Sequence, residues 1–226
     1  IHNYFPPPKT SFNFNLASQN NSIRIKSLNL AKKAIDLCRQ IDSSLYTFHG
    51  GFTVDPQKLG VKFPRENISI KPKAIQTFIN SLIVLVDLAK SNGIKLAVEP
   101  NVVQKFNLIR NKNRLLLFAE LDEIEILFKF FKKNELGILL DLGHTAVTSH
   151  WLHFKKDNFV EKLCDRVFAI HISNNNGLQD QHTSLTKNCW QVRNLKFFKR
   201  IPIILESMNL NINEIKQNLQ LIEQQQ

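Results

Sequence analysis

The sequence GILLDLGH at positions 137–144 carries the pattern that decides the fold. Its first four residues are apolar or small, as in a strand that is buried on both faces, and the run ends on Asp141, which packing alone would not select. Similar runs lie at positions 45–48, 94–98, 167–172 and 201–205. Because longer helical patterns separate these runs, the sequence predicts βαβ units and a parallel sheet.

The helical patterns have apolar residues at spacings of three and four. Ala31, Ala34, Ile35 and Cys38 form such a stripe in the first of them. The predicted helices cover residues 23–41, 73–91, 121–132, 158–163 and 211–222. Residues 12–16 are either a further extended segment or part of a loop.

A residue that can bind metal or transfer a proton stands at the end of every strand-like run. These residues are His49, Glu99, Asp141, His171 and Glu206. In a (β/α)8 barrel such strand ends converge on the active-site face, whereas in an open doubly wound sheet they would lie too far apart to meet. The pattern therefore predicts an α/β fold of the closed (β/α)8 TIM-barrel class.

The strand count predicts an incomplete barrel. If His2 closes a strand, only six β/α units are visible, so we expect one domain over residues 1–226 that is N-terminally truncated and lacks the first two units. The sequence also begins without an initiator methionine. An open barrel would leave unpaired edges, so we expect the isolated chain to aggregate or to form a homo-oligomer.

Composition limits the compartment and the partners. The chain has three cysteines and no CxxC pair, which favours a reducing cytoplasm without a disulfide framework. No apolar run approaches the length of a membrane span, so we expect no membrane association. The net charge of +11 is compatible with nucleic acid. However, the basic clusters at 129–133 and 196–200 alternate with Phe and are typical of solvated helix faces.

Two local spacings add candidate ligands to the strand ends. Asp141 and His144 are three residues apart where we expect a loop over the barrel mouth, and Asp180 and His182 share one side of an extended segment. Imidazole and carboxylate together suit a divalent metal, which we expect to be Mn, Zn, Mg or Co, with iron a further option. No glycine-rich phosphate loop follows any strand, which argues against nucleotide binding.

Seven short motifs occur in the order found in one superfamily. They are HNY at 2–4, FHGG at 48–51, VEPN at 98–101, DLGH at 141–144, HISNN at 171–175, DQH at 180–182 and LES at 205–207. Over essentially its whole length the chain resembles the xylose-isomerase-like TIM-barrel superfamily. This superfamily contains the sugar-phosphate isomerase/epimerases and endonuclease IV.

The resemblance to the isomerases implies one divalent metal. Its ligands would be Glu99, Asp141, His171 and Glu206, and the two glutamates would be the catalytic groups. One glutamate would remove a proton beside the carbonyl of a small sugar or sugar phosphate, and the other would return it through an enediolate. A metal-dependent isomerase/epimerase is therefore our first functional prediction.

The resemblance to endonuclease IV implies a different reaction at the same site. Its three-zinc cluster would take those four ligands and five more residues, which are His2, His49, His144, Asp180 and His182. The alternative prediction is therefore a phosphodiesterase that acts on abasic-site DNA. The stretch NNNG at 174–177 is closer to the Asp-Asn-x-Gly turn of the isomerases. A third possibility is a non-catalytic binding protein that has kept the barrel.

Overall fold

The computed structural model describes residues 1–58 and 61–225, and the chain divides into two compact units. Unit 1 comprises Ile1–Asn101 and Lys105–Gly137, and unit 2 comprises Val102–Gln104 and Ile138–Gln226. The helices are α1 (Asn21–Gln40), α2 (Lys71–Ser91), α3 (Leu121–Phe130), α4 (Leu142–Leu152), α5 (Lys156–Leu163), α6 (Trp190–Asn194) and α7 (Ile212–Glu223). The strands are β1 (Leu45–His49), β2 (Lys95–Glu99), β3 (Leu136–Asp141), β4 (Val167–Ile172) and β5 (Ile203–Leu205).

The β-structure of unit 1 aligns three strand-end residues. Strands β1 and β2 are parallel and pair from Leu45 with Lys95 to His49 with Glu99. The N-terminal segment runs beside β1, where His2 forms a parallel bridge with Thr47. The expected extended segment ending at His2 is thus present as this bridge. His2, His49 and Glu99 therefore lie at the same end of the unit 1 sheet.

Two long helices cover this sheet and bury apolar stripes. The side chain of Asn20 caps α1 by accepting hydrogen bonds from the backbone of Ser22 and Ile23. The predicted stripe from Ala31 to Cys38 is buried. Helix α2 has a proline in its first turn and contributes Phe78, Leu82 and other buried residues.

Helix α2 is also long and apolar enough to cross a membrane. Half of its most apolar stretch is buried within the protein. A core helix has the same length and composition, so this helix alone is weak evidence for a membrane span.

Unit 2 aligns a second set of strand ends. Strands β3, β4 and β5 are parallel, and the register places Asp141 beside His171 and Ile172 beside Leu205. The backbone N–H of Glu206 continues the pairing by donating to the carbonyl of Ile172 at 2.9 Å. Asp141, His171 and Glu206 therefore lie at the carboxyl ends of neighbouring strands, as the sequence predicted.

Two expectations about connecting segments were resolved by the structure. His144 does not lie in a loop, because α4 begins immediately after β3 and the side chain of Asp141 caps it by accepting from the backbone N–H of His144 at 2.8 Å. Residues 12–16 form a loop without strand pairing. The short helix α6 was not predicted.

A buried asparagine ties together the segments that follow β1 and β2. The side-chain amide of Asn101 donates to the carbonyls of Gly50 at 2.8 Å, Leu117 at 2.9 Å and Gly51 at 3.2 Å. Gly50 is required there, since a Cβ would lie 2.8 Å from the carbonyl oxygen of Leu117. Asn101 thereby fixes the backbone directly after His49 and Glu99.

We expect Asn101→Ala to lower the free energy of unfolding by about 1–3 kcal/mol, because buried carbonyls lose their donor. Urea denaturation of the full-length protein measures this loss. The exposed Asn29 in α1 provides the control, and Asn29→Ala should not destabilise the protein because alanine favours the helix. Equal effects of the two substitutions would contradict the tying role of Asn101.

Candidate metal centre

The first group of candidate ligands lies in unit 1 and is called the His49 cluster, consisting of His2, His49 and Glu99. One oxygen of Glu99, Oε2, lies 3.1 Å from Nδ1 of His49 and 3.4 Å from Nε2 of His2. The two imidazole rings meet edge to face at 5.2 Å between centroids. The Glu99 side chain is only 1% exposed. Two imidazoles thus share a single buried carboxylate.

Backbone pairing brings His2 to this position although it lies far from His49 in sequence. The carbonyl of Ile1 accepts from the backbone N–H of Thr47 at 3.0 Å, and the N–H of Asn3 donates to the Thr47 carbonyl. The Thr47 hydroxyl lies 2.8 Å from Nδ1 of His2, which leaves Nε2 facing Glu99. Thr47 was not singled out from the sequence. The available signal was its position two residues before His49, on the same face of β1.

The second group lies in unit 2 and is called the His182 cluster, consisting of His144, Asp180 and His182. Oxygen Oδ2 of Asp180 lies 3.1 Å from Nε2 of His182 and 3.3 Å from Nε2 of His144. Nε2 of His144 is also 3.5 Å from Asp141. The cluster again places two imidazoles around one carboxylate.

The start of a helix and an antiparallel bridge bring the His182 cluster together. The first turn of α4 holds His144, and an antiparallel bridge between Asn174 and Thr183 holds the loop that carries Asp180. The backbone of His182 is left-handed, with φ 50°. The expected proximity of Asp180 and His182 is therefore present, but the segment that carries them is not extended, because the backbone is left-handed at His182.

Electrostatics make Asp180 a strong ligand candidate. Burial raises the pKa of its carboxyl, but hydrogen bonds from His144 and His182 outweigh burial and hold that pKa well below its usual range. The hydrogen bond to Asp180 raises the pKa of His182, with burial opposing it. The ionised carboxylate therefore favours a protonated His182, and a metal ion would have to displace that proton.

The third group is the His171–Glu206 pair. Nδ1 of His171 lies 2.9 Å from Oε1 of Glu206. The His171 side chain is 6% exposed, whereas that of Glu206 is 27% exposed. His171 lies beside Asp141 in the strand register. Glu206 therefore combines contact with a candidate metal ligand and access from solvent.

All nine residues selected from the sequence lie in these groups or beside them. Unit 1 brings together three, and unit 2 brings together Asp141 and the other five. The single-metal set that would join Glu99 to Asp141, His171 and Glu206 stays a prediction. Ser173 is an additional polar neighbour, with its hydroxyl 3.4 Å from Nδ1 of His182.

The donor chemistry fits a divalent ion. Each cluster offers two imidazole nitrogens and one carboxylate oxygen within 4.8 Å of one another. Oxygen Oδ1 of Asp180 is buried and has no hydrogen-bond partner in the part of the chain that the structure describes. Mixed imidazole and carboxylate donors are typical of zinc and manganese sites. The residues present therefore meet the requirements of such an ion.

The chain belongs to the xylose isomerase-like TIM barrel family, whose model matches residues 2–224. The five parallel strands and their helices are the α/β architecture of that family. The predicted TIM-barrel class is thus confirmed.

Several relatives resemble the chain over most of its length. An uncharacterized protein of Methanocaldococcus jannaschii is 28% identical over 89% of this chain and 69% of its own length. Apurinic-apyrimidinic endonuclease 1 of Plasmodium falciparum is 27% identical over 92% of this chain, but the match spans only 34% of that enzyme. A solved D-tagatose 3-epimerase-like protein has a TM-score of 0.71 and 21% identity, with 99% of this chain and 77% of that chain covered. This last likeness concerns the fold.

We expect the full-length protein to bind divalent metal through these clusters, and His182→Ala to lower the metal content after zinc loading and dialysis. Loss of one imidazole leaves the cluster with too few donors to retain an ion. Inductively coupled plasma mass spectrometry gives the metal-to-protein ratio. His150→Ala is the matched control, because His150 is exposed and lies outside the three groups. An unchanged ratio in His182→Ala would contradict the assignment of this cluster.

Proposed function

We propose that the chain carries the active site of a divalent-metal-dependent phosphodiesterase that cleaves nucleic acid at abasic sites. The observation that carries this proposal is the pair of histidine clusters, in each of which two imidazoles surround one carboxylate. The one-metal isomerase scheme requires neither His2 and His49 nor His144 and His182. A multi-metal hydrolase would use all of them.

Phosphodiester cleavage is a reaction in which two metal-binding clusters would both contribute. The attacking hydroxide, the leaving oxygen and the non-bridging oxygens all carry negative charge, so several positive centres stabilise the reaction better than one. Two relatives named apurinic-apyrimidinic endonuclease 1, from Plasmodium falciparum and Plasmodium berghei, are 27% and 25% identical to this chain. Their names and the two histidine clusters of this chain support the same reaction class.

The protein residues would bind and orient the reactive groups. Divalent ions, when bound, would neutralise the phosphate and lower the pKa of an attacking water. His2, His49 and Glu99 would hold one ion, and His144, His182 and the ionised Asp180 would hold another. The Thr47 hydroxyl, 2.8 Å from Nδ1 of His2, would fix the orientation of that ring. The net charge of +11 would attract the polyanionic substrate.

A sugar or sugar-phosphate isomerase/epimerase is the second candidate, and the exposure of Glu206 favours it. A general base must reach the substrate carbon, and the Glu206 side chain is 27% exposed while contacting His171. In this reaction Glu206 would exchange a proton with a carbon next to a carbonyl. Glu99, as the second acid/base group, would complete the transfer.

The first experiment tests incision of duplex DNA that contains a single abasic-site analogue. We expect the metal-loaded full-length protein to cut the strand that contains the analogue. His182→Ala should lower the incision rate by more than about 100-fold, since even the partners of metal ligands contribute roughly 10- to 100-fold to activity. Denaturing gels follow the product, and His150→Ala should retain wild-type rates. Absence of incision with zinc, manganese and magnesium would overturn the phosphodiesterase proposal.

The second experiment tests proton exchange. If the isomerase candidate is right, the protein incorporates solvent deuterium into a ketose or ketose phosphate, and Glu206→Gln lowers that incorporation by about 10²- to 10⁴-fold. Mass spectrometry of a substrate panel measures the label. Deuterium incorporation without abasic-site incision would establish the isomerase instead of the phosphodiesterase.

A further inference from the structure

A basic groove lies in unit 1 outside the candidate metal ligands. It is formed between residues 65–71, which precede and begin α2, and residues 109–114, in the segment between β2 and α3. Its volume is about 530 Å³, and it is lined by four cationic side chains, those of Arg65, Lys71, Arg110 and Arg114. Among its described lining residues none is acidic. The groove thus concentrates positive charge in one place on a basic protein.

The four cations are not equivalent. Lys71 forms ion pairs with Glu123 and, at 3.6 Å, with Glu120, so its charge is already compensated. Arg65 donates to the carbonyl of Leu108 at 3.1 Å and links the two segments. Arg110 and Arg114 are exposed, and within the described residues their guanidinium groups have no hydrogen bond or ion pair. These two arginines are therefore available to an external anion.

Backbone hydrogen bonds hold Arg110 in place. Ile109 and Lys112 close a tight turn with two backbone hydrogen bonds of 3.0 and 3.1 Å. The central residues, Arg110 and Asn111, have φ values of 51° and 57°. This left-handed conformation costs an arginine roughly 1–2 kcal/mol, and such strain often marks functional segments. The turn projects Arg110 from a fixed backbone.

Further backbone contacts join the segments on either side of the groove. The N–H of Thr53 donates to the carbonyl of Leu115 at 2.9 Å, and the N–H of Ser69 donates to the Thr53 carbonyl at 2.8 Å. Both segments belong to connections from a strand to the next helix, following β1 and β2. In barrels of this class such connections build the face that binds substrate. Arg65 therefore follows the strand end that bears His49, and Arg110 and Arg114 follow the strand end that bears Glu99.

We propose that this groove binds the sugar-phosphate backbone of a nucleic acid through Arg110 and Arg114. The guanidinium group matches phosphate oxygens with paired donors and is always charged. Both arginines are exposed, which suits an extended polyanion whose phosphates stay partly hydrated better than a small ligand that must be enclosed. The inference rests on the proposed function for its substrate class, but binding can be measured without catalysis.

The test measures binding of a fluorescent, undamaged DNA duplex to the metal-loaded full-length protein by anisotropy over a range of salt concentrations. In Arg110→Gln/Arg114→Gln we expect weaker binding and a fall of about 2 in the slope of log K against log salt, since each phosphate contact contributes roughly 0.9. Lys32→Gln/Lys33→Gln is the matched control, because it removes the same charge from exposed positions in α1. The control should retain the wild-type slope.

Each alternative outcome has a defined meaning. Equal losses in both double variants would show that only net charge matters and would overturn the groove proposal. An unchanged slope in the arginine variant would overturn it as well, even if abasic-site incision occurs. If the arginine variant loses affinity for a ketose phosphate but not for the duplex, the groove binds a small phosphate instead. Selective loss of duplex binding without any incision would retain the groove and reject the phosphodiesterase.

Discussion

In-register parallel pairing of the strands is the constraint on which the candidate site depends. It places His49 beside Glu99 in unit 1 and Asp141 beside His171 in unit 2. A slip of one residue would turn each of these side chains to the opposite face of its strand. The apolar residues that precede the strand ends are fully buried, and their burial fixes the register. The same hydrophobic packing that stabilises the fold therefore sets the positions of the chemical groups.

These positions carry an electrostatic penalty that the neighbouring residues reduce. An ionised carboxylate buried as deeply as Glu99 costs several kcal/mol unless a cation or hydrogen bonds compensate it. His2 and His49 lie within ion-pair distance of Glu99 in unit 1, and in unit 2 hydrogen bonds from His144 and His182 hold the pKa of the Asp180 carboxyl well below its usual range. A divalent ion held by the same donors would compensate either carboxylate. The arrangement is thus suited to a bound cation.

The sequence predicted the strands and their terminal residues because an apolar run followed by a polar residue is a local pattern. It failed at α4, where eight of the eleven residues are buried and no amphipathic stripe appears. It also failed at His182, whose left-handed backbone is not signalled by the residue type. The groove containing Arg110 and Arg114 could not be predicted, since it arises from hydrogen bonds between segments distant in sequence. Local pattern thus predicted the ligands, whereas tertiary contacts determined their grouping.

The grouping of the side chains also changes which of the two candidate reactions the site supports better. In the sequence alone, the NNNG stretch at 174–177 favours the isomerase. The structure places the five additional donors in two compact sets, and random surface histidines would not twice surround a buried or half-buried carboxylate. A one-metal isomerase has no need of this arrangement, whereas phosphodiester cleavage benefits from every additional positive centre. The geometry of the clusters, more than the identity of their residues, therefore favours hydrolysis of a phosphodiester.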